Sequence, residues 1–259
     1  MPDERYHRST ADARMMAAAL RKSIITGEYA PGDRLPSERV LAVMHHSARN
    51  TARSAIQELV QEGLVRSERG RGSFVRERPR WMRFGRQRYS SSMRAVTPHG
   101  PFGAEARAQG KTPRVEVRSA ERVPAPTLVA ERLGLGPEDD VVRRENWYYA
   151  DEVAMQIGTT FLPWSIAQGT ALAVPENLGR RSLYGLLEDA GYTIAHIREE
   201  ITARSATREE VDGLLLPRGV PVIDVWHTGM TADRYPFEVT NFRMRADCSA
   251  LDYEMPVED

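Results

Sequence analysis

The chain has 259 residues, which is enough for one or two domains with a substantial core. Its net charge is zero, but residues 1–118 carry 23 Lys and Arg against 12 Asp and Glu, and residues 119–259 carry 13 against 24. The basic half predicts a polyanionic partner, with uneven surface charge and no partner as the alternative. Apolar runs of about 18 residues and a signal-peptide pattern are both missing, so neither a membrane span nor secretion is expected. Cys248 has no second cysteine for an intramolecular disulfide, which fits a reducing cytoplasm.

Three helical patterns occupy the first 62 residues. Apolar spacing predicts a first helix over residues 9–25. After a turn and an extended step, Ser37 is a suitable N-cap for a second helix over residues 38–44. Ser47 is the predicted N-cap of a third helix, which extends to Glu62 and stops at a glycine.

A short hairpin is predicted after the third helix. The two apolar segments 64–66 and 73–75 flank a polar turn of Arg and Gly. Three helices followed by a hairpin make a winged helix-turn-helix, a DNA-binding module. Basic residues near the second helix and in the hairpin turn favour this role. The candidate DNA contacts outside the third helix are Arg34, Ser37, Arg39, Arg69, Gly70 and Arg71.

The start of the third helix carries side chains suited to base recognition. Its apolar residues lie in its second half, which leaves Arg49 and Arg53 exposed one turn apart. An arginine can bind guanine O6 and N7 together, while Asn50 and Thr51 can reach a base edge or a phosphate. Ser47 can cap the first amides beside a phosphate. A merely solvated helix face is the alternative for two exposed arginines taken alone.

The second half of the chain predicts an α+β fold. Its alternating strand patterns are joined by hairpins and interrupted by short helices, which indicates a largely antiparallel sheet. We predict a DNA-binding domain over residues 1–78 and a linker that serves as a hinge over 79–94. A second domain covers 95–252, and 253–259 form a tail.

Residues 25–42 (ITGEYAPGDRLPSERVLA) and 47–75 (SARNTARSAIQELVQEGLVRSERGRGSFV) closely resemble the winged-helix domain of GntR-type bacterial transcription regulators. One departure is Ala52, where the family commonly has valine, and this concerns helix packing. The resemblance implies operator contacts at Arg39, Arg49, Asn50, Thr51 and Arg53, with Arg69 and Gly70 in the wing.

The motifs TTFLP, SLYGLLEDAG, EEITARSAT, LPRGVPV and PFEVTNFRMRAD resemble the effector domain of the HutC subfamily, called UTRA, which has a chorismate-lyase-like fold. The resemblance covers residues 95–250. It implies a homodimer with a small-molecule pocket in each effector domain. Two DNA-binding domains would then bind the two half-sites of a palindromic operator.

The resemblance also bears on the effector. Sugar-phosphate-responsive relatives carry two arginines before the hairpin turn, where Asn146 and Tyr148 stand here, and Gly158 replaces a glutamate. Without two guanidinium groups the usual phosphate clamp is missing, so the effector is not expected to be a sugar phosphate. The adjacent pair Arg143-Arg144 is interpreted as a solvated strand edge, with anion binding as the alternative.

Three further residues complete the expected effector site: Thr159 of TTFLP, Glu238, and Arg245 of the last motif. Glu238 can accept hydrogen bonds from a ligand, and Arg245 can bind a carboxylate. The alternative is that Glu238 and Arg245 pair with each other or with Asp247 in a structural role.

The sequence therefore predicts a dimeric, effector-responsive DNA-binding regulator, usually a repressor, that works in the cytoplasm on nucleoid DNA. The alternative is an autoregulatory or plasmid-transfer repressor without an effector, whose second domain only dimerises. An enzyme is not expected, because catalytic carboxylate pairs, nucleophile–base sets and phosphate loops are missing from the sequence. The histidines lack metal-ligand spacing, so no metal or other cofactor is expected.

Overall fold

The computed structural model describes residues 3–76, 81–85, 89, 100–176, 178, 182–217 and 219–254, with the backbone alone for residues 3–9. The chain divides into two units, which we describe separately. The N-terminal unit is Met1–Pro79 with Pro217–Val220, and the C-terminal unit is Arg80–Leu216 with Pro221–Asp259. Among the described residues, no helix has both the length and the apolar character needed to cross a membrane.

The N-terminal unit contains three helices and an antiparallel hairpin. Its elements are α1 (Asp3–Ile25), α2 (Glu38–Met44), α3 (Arg49–Gln61), β1 (Val65–Glu68) and β2 (Gly72–Val75). Leu20 of α1, Leu41 of α2 and Leu59 of α3 are buried in one core. Ser37 caps α2, because its side chain accepts a hydrogen bond from the Val40 backbone N–H. The predicted winged helix-turn-helix is confirmed.

The start of α3 differs from the prediction. Ala48, in an extended conformation, is the N-cap, and its side chain makes no capping hydrogen bond. Ser47 lies one residue earlier, in the turn, where its backbone N–H donates to the Ala42 carbonyl at 2.9 Å. The Ser47 hydroxyl is buried without a hydrogen-bond partner among the described residues. The prediction that Ser47 is the N-cap was therefore wrong, because Ser47 belongs to the turn that follows α2.

The C-terminal unit is built around a six-stranded antiparallel sheet. Its elements are β3 (Met82–Gly85), α4 (Gly100–Ala108), β4 (Pro113–Pro124), α5 (Thr127–Leu133), β5 (Asp140–Ala150), β6 (Val153–Pro163), α6 (Trp164–Ala167), a 3₁₀ turn (Ala171–Ala173), α7 (Leu183–Asp189), β7 (His196–Ser205), α8 (Arg208–Gly213), β8 (Pro221–Met230), β9 (Pro236–Arg245) and β10 (Ser249–Asp252). The order of strands across the sheet is β4-β5-β6-β9-β8-β7. This confirms the predicted α+β class.

The predicted linker over residues 79–94 contains a strand of the C-terminal unit. Strand β3 pairs in parallel with β10 from the end of the chain, with Met82 beside Ser249. Met82 and Phe84 are buried, and so is Tyr89 further along. Arginines between these apolar residues hid the alternation in the sequence. The linker boundary is corrected for residues 81–85 and 89, and the rest of 79–94 lies outside the described residues.

Candidate functional site

Helix α3 begins with exposed basic side chains. Arg49 and Arg53 keep 68% and 52% of their side-chain surface exposed, and Asn50 is exposed between them. The apolar residues behind them, Ala52 and Ile56, pack into the core. The first turn of α3 is thus exposed to solvent, as the position of its apolar residues predicted.

One carboxylate on α2 holds both arginines. Glu38 accepts from Arg49 Nε at 3.0 Å and from Arg53 Nε at 2.9 Å and Nη2 at 3.1 Å. The Arg53 guanidinium, with a smaller contribution from Arg49, lowers the pKa of Glu38. Glu38 therefore holds the two guanidinium groups close to each other on the exposed side of α3. Glu38 was not predicted from the sequence, although it lies next to the N-cap of α2.

Most of the other predicted DNA contacts lie on the surface. Arg71, at the tip of the hairpin, pairs with Glu68 at 2.6 Å and is 75% exposed. Gly70 adopts a φ of +77°, a left-handed conformation that favours glycine. The exposed members of the predicted set are Arg34, Ser37, Arg39, Arg49, Asn50, Arg53, Arg69, Gly70 and Arg71.

Thr51 is the exception among the residues assigned to DNA. Only 4% of its surface is exposed, and it shares the buried side of α3 with Ala52 and Ala55. Thr51 follows Arg49 by two positions, which rotates it about 200° around the helix toward the core. Its prediction as a base or phosphate contact was wrong for this geometry, and its side chain packs the helix.

In the C-terminal unit, a row of polar residues crosses the sheet. The strand registers place Arg144 opposite Thr160, Thr160 opposite Thr240, Thr240 opposite His227, and His227 opposite Glu199. Residues directly opposite each other point to the same side of a sheet, so all five lie on one surface, which we call face A. The reverse surface is face B. The row extends from β5 to the edge strand β7.

His227 of this row is fully buried. Its Nδ1 lies 3.1 Å from Glu199 Oε1, and its Nε2 lies 3.4 Å from Glu238 Oε2. The Tyr184 hydroxyl, from α7, is 3.2 Å from His227 Nε2 and donates to Glu238 at 3.2 Å. Burial by itself lowers the pKa of His227, but Glu238 and Glu199 outweigh it and raise that pKa to about 8. His227 is therefore an imidazolium at neutral pH, held between two carboxylates.

Arg144 was wrongly interpreted as part of a solvated strand edge. Only 1% of its surface is exposed, and its Nη1 donates to the Val174 carbonyl at 2.5 Å while its Nη2 donates to the Glu176 carbonyl. Its neighbour Arg143 points to face B and pairs with Glu121 at 3.1 Å. Successive residues of a strand point to opposite faces of the sheet, so the two adjacent arginines lie on different sides. The prediction from the sequence treated them as one pair and missed this separation.

The structure separates the predicted effector residues into two groups. Asn146, Tyr148 and Glu238 share face A, and burial raises the pKa of Tyr148 to about 12. Thr159 lies on face B, where Arg243 donates to its hydroxyl at 2.5 Å. Arg245 is also on face B.

Arg245 makes an ion pair rather than facing the polar row. Its Nε and Nη2 donate to the two oxygens of Asp247 at 3.0 and 2.9 Å. The ion pair with Asp247 agrees with the alternative prediction that Arg245 has a structural role. Glu238 does not take part in that pair and belongs to the cluster around His227. Thr159 and Arg245 were wrongly grouped with Glu238, because odd and even positions of a strand lie on opposite faces. Alternation in PVIDVWHTGM could have placed His227 on the buried face.

Face B carries an open groove of about 1010 Å³. Trp147 and Tyr149 of β5 line it, together with Arg118, Arg208 and Asp212. Arg118 stacks on the Trp147 ring, with its guanidinium carbon 4.5 Å from the ring centroid. This groove is shallow and open to solvent, whereas the ionisable groups of face A are buried.

The relatives of this chain agree with these two units. The family "Bacterial regulatory proteins, gntR family" matches residues 12–75, and the "UTRA domain" matches residues 108–248. An HTH-type transcriptional regulator of Streptomyces coelicolor is 32% identical over 85% of this chain and 83% of its own length. The chain belongs to the GntR family.

With a UTRA domain behind its winged helix, this GntR-family regulator has the HutC-type architecture. The HTH-type transcriptional repressor NagR of Bacillus subtilis is 25% identical over 88% of each chain. A crystal structure of a GntR-family transcriptional regulator is 27% identical, with a TM-score of 0.69 over 95% of this chain and 98% of that one. These relatives are transcriptional regulators rather than enzymes.

Proposed function

We propose that this GntR-family chain is a homodimeric repressor that binds a palindromic operator and releases it when a small molecule occupies face A. The observation that carries the DNA-binding part is the exposed Arg49–Asn50–Arg53 surface, with its two arginines held by Glu38. Arginines fixed in one geometry bind guanine edges with less loss of side-chain entropy than free ones. A relative named as a repressor, NagR, supports the sign of regulation. The site of action would be nucleoid DNA in the cytoplasm.

Dimerisation supports recognition because two DNA-binding domains double the contact area. Each winged helix would place α3 in one major groove, with Arg34, Arg39 and the hairpin residues Arg69 and Arg71 on adjacent phosphates or in the minor groove. A two-fold dimer then requires two half-sites related by the same symmetry. The net charge of +11 on residues 1–118 favours the encounter with DNA.

The effector part rests on the buried cluster of face A. Burying ionisable groups is costly unless they are paired, so a domain that only dimerises has no need of Arg144, His227, Glu199 and Glu238 in its sheet. The alternative of a repressor without an effector is accordingly disfavoured. Two carboxylates in this cluster also repel a phosphate, and Arg144 spends its donors on backbone carbonyls. The effector is therefore proposed not to be a sugar phosphate.

Fluorescence anisotropy with the DNA upstream of the protein's own gene tests the proposal. Purified protein is titrated at physiological salt onto this DNA and onto random DNA of the same length, with and without a small-molecule extract of the host cell. We expect tighter binding to the upstream DNA and weakening by the extract, with a coupling of about 5- to 150-fold. Binding that ignores the extract would contradict the switch, and equal binding to both DNAs would contradict an operator at this position.

A further inference from the structure

A tyrosine from the segment between the two family domains lies on the cluster of face A. The Tyr89 ring stacks on the His227 imidazole, with centroids 4.8 Å apart and planes 19° apart. Its hydroxyl donates to Glu199 at 3.2 Å, and the Tyr184 ring meets it at 6.2 Å in an edge contact. Tyr89 is 8% exposed, so it fills this position and excludes water from it.

Tyr89 lies outside both family matches, which end at residue 75 and begin at residue 108. Its ring is nonetheless part of the core that contains Val142, Leu162 and Leu187. Tyr89 thus packs into the core of the C-terminal unit from the part of the chain that precedes the UTRA match, as Met82 and Phe84 of β3 also do. Tyr89 follows β3 by four residues, and β3 is itself paired with β10.

A second phenol reaches the same carboxylate. Tyr253, directly after β10, donates from its hydroxyl to Glu199 Oε2, while Tyr89 donates to Glu199 Oε1. The neighbouring strands β3 and β10 thus precede two tyrosines that converge on Glu199. The site offers a flat imidazolium face for stacking, an aromatic edge, and a carboxylate that accepts hydroxyl protons. Its chemistry therefore suits a planar ring that carries a hydroxyl group.

We propose that Tyr89 is an internal occupant of the effector site, and that the effector is a hydroxylated planar ring that displaces it. The inference rests on the proposed function, because it assigns the ligand class and the coupling step of the same site. Displacement leaves the stacking and hydrogen-bonding partners of the cluster satisfied, because the ligand ring replaces the tyrosine ring. It also removes the Tyr89 ring from the core of the C-terminal unit. Binding of the ligand ring and packing of the Tyr89 ring in this core then exclude each other, which is the differential binding that a switch requires.

The test compares wild-type protein with Tyr89→Ala and uses p-cresol, the tyrosine side chain itself, as the probe. Ligand-observed NMR measures p-cresol binding, and anisotropy measures operator and random DNA. We expect Tyr89→Ala to bind p-cresol at least tenfold more tightly than wild type, because no internal ring competes. We also expect it to bind the operator about tenfold more weakly, with random DNA unchanged, and to respond no further to host extract.

Two other variants keep the test decisive. Tyr192→Ala removes another ring that packs against the same core, where it lies 5.8 Å from Phe237, and should leave p-cresol affinity and the extract response as in wild type. Tyr89→Phe keeps the ring and loses only the hydrogen bond to Glu199, so it should bind p-cresol about threefold more tightly even if Tyr89→Ala fails to fold. Tyr89 variants that match wild type in p-cresol affinity and extract response would overturn the inference. A wild-type protein that ignores the extract would instead count against the proposed function.

Discussion

At the scale of single residues, the proposed DNA contacts divide into contacts with bases and contacts with phosphates. Arg49 lies in the exposed first turn of α3, whereas Arg34 lies beside the hairpin, with its guanidinium close to Gly72. Base contacts discriminate between sequences, and phosphate contacts do not. Replacing each arginine therefore has a different signature.

We expect Arg49→Ala to weaken operator binding about tenfold and to relax the preference at one base pair, with little change on random DNA. Arg34→Ala, the matched control for loss of one charge, should weaken both DNAs similarly and lower the salt slope of log K by about 1. Anisotropy titrations at several salt concentrations measure both effects. Equal losses on operator and random DNA for Arg49→Ala would remove it from base recognition.

Glu38 is a positioning residue for the two arginines of α3. Glu38→Gln removes a negative charge near the DNA, so binding to random DNA should become tighter. The same change frees Arg49 and Arg53, so the ratio of operator to random affinity should fall about tenfold.

The control for Glu38→Gln is Glu62→Gln, because Glu62 pairs with Arg21 of α1 instead of with the arginines of α3. It should keep the wild-type ratio of affinities. Competition titrations of operator against random DNA give that ratio directly. If Glu38→Gln keeps it as well, the ion pairs with Arg49 and Arg53 do not preorganise the surface.

At the scale of elements, helix α8 shows how sequence signals and tertiary contacts combine. Thr207 and Glu210 form the capping box that the sequence predicts at the start of this helix. Glu210 also accepts from both terminal nitrogens of Arg204, at 2.8 and 2.7 Å, and Arg204 reaches Asp224 on β8. One carboxylate therefore caps α8 and joins it to β7.

The Arg204 guanidinium, in spite of burial, lowers the pKa of Glu210 to about 2 from an ordinary value of 4.5. A lowered pKa in the folded state contributes stability above pH 4.5, and this contribution is lost as the pH falls through 4.5 toward 2. We expect Glu210→Gln to lower the free energy of unfolding by about 1–3 kcal/mol at pH 7. Glu209→Gln, at an exposed neighbour, should have little effect. Urea unfolding at pH 7 and pH 3 measures the difference in unfolding free energy between the wild type and Glu210→Gln, and this difference should be smaller at pH 3.

At the scale of the whole molecule, the face A cluster joins several segments of the chain through one histidine. Tyr184, Glu199 and Glu238, each on a different element, contact His227. The pKa of His227 is raised to about 8 from 6.5, so the protonated form stabilises the fold. The contribution is complete below pH 6.5 and is lost as the pH rises through 8.

We therefore expect the contribution of His227 to the unfolding free energy of the wild type to fall by about 2 kcal/mol between pH 6 and pH 9. His227→Gln should lose this dependence. His196→Gln, on the neighbouring strand β7, serves as the control and should retain it. Guanidinium unfolding at the two pH values makes the comparison. A His227→Gln protein with the wild-type slope would show that other groups govern the dependence.

Local signals in the sequence were sufficient for most of the elements, although not for β3. Ser37 as N-cap, the capping box of Thr207 and Glu210, and the Arg-Gly turn all act over a few residues, so each is visible in the sequence. The same holds for the order of helices and hairpin in the N-terminal unit and for the antiparallel sheet. The predictions for Ser47 and Thr51 were wrong because both depend on the residue at which α3 begins. A shift of the helix start by one residue changes which residue caps the helix and which side chains face the core.

The sequence by itself determined that this chain combines a winged helix with an α+β domain, because periodicity, caps and turn residues are local. Only the tertiary structure decided which polar residues meet. Arg144, His227 and Glu199 are brought into one row by pairing of strands that are far apart in the chain. Tyr89 joins them from a segment whose composition predicted a linker. Strand register and pairing order depend on the whole sheet, so no single segment of sequence encodes that meeting.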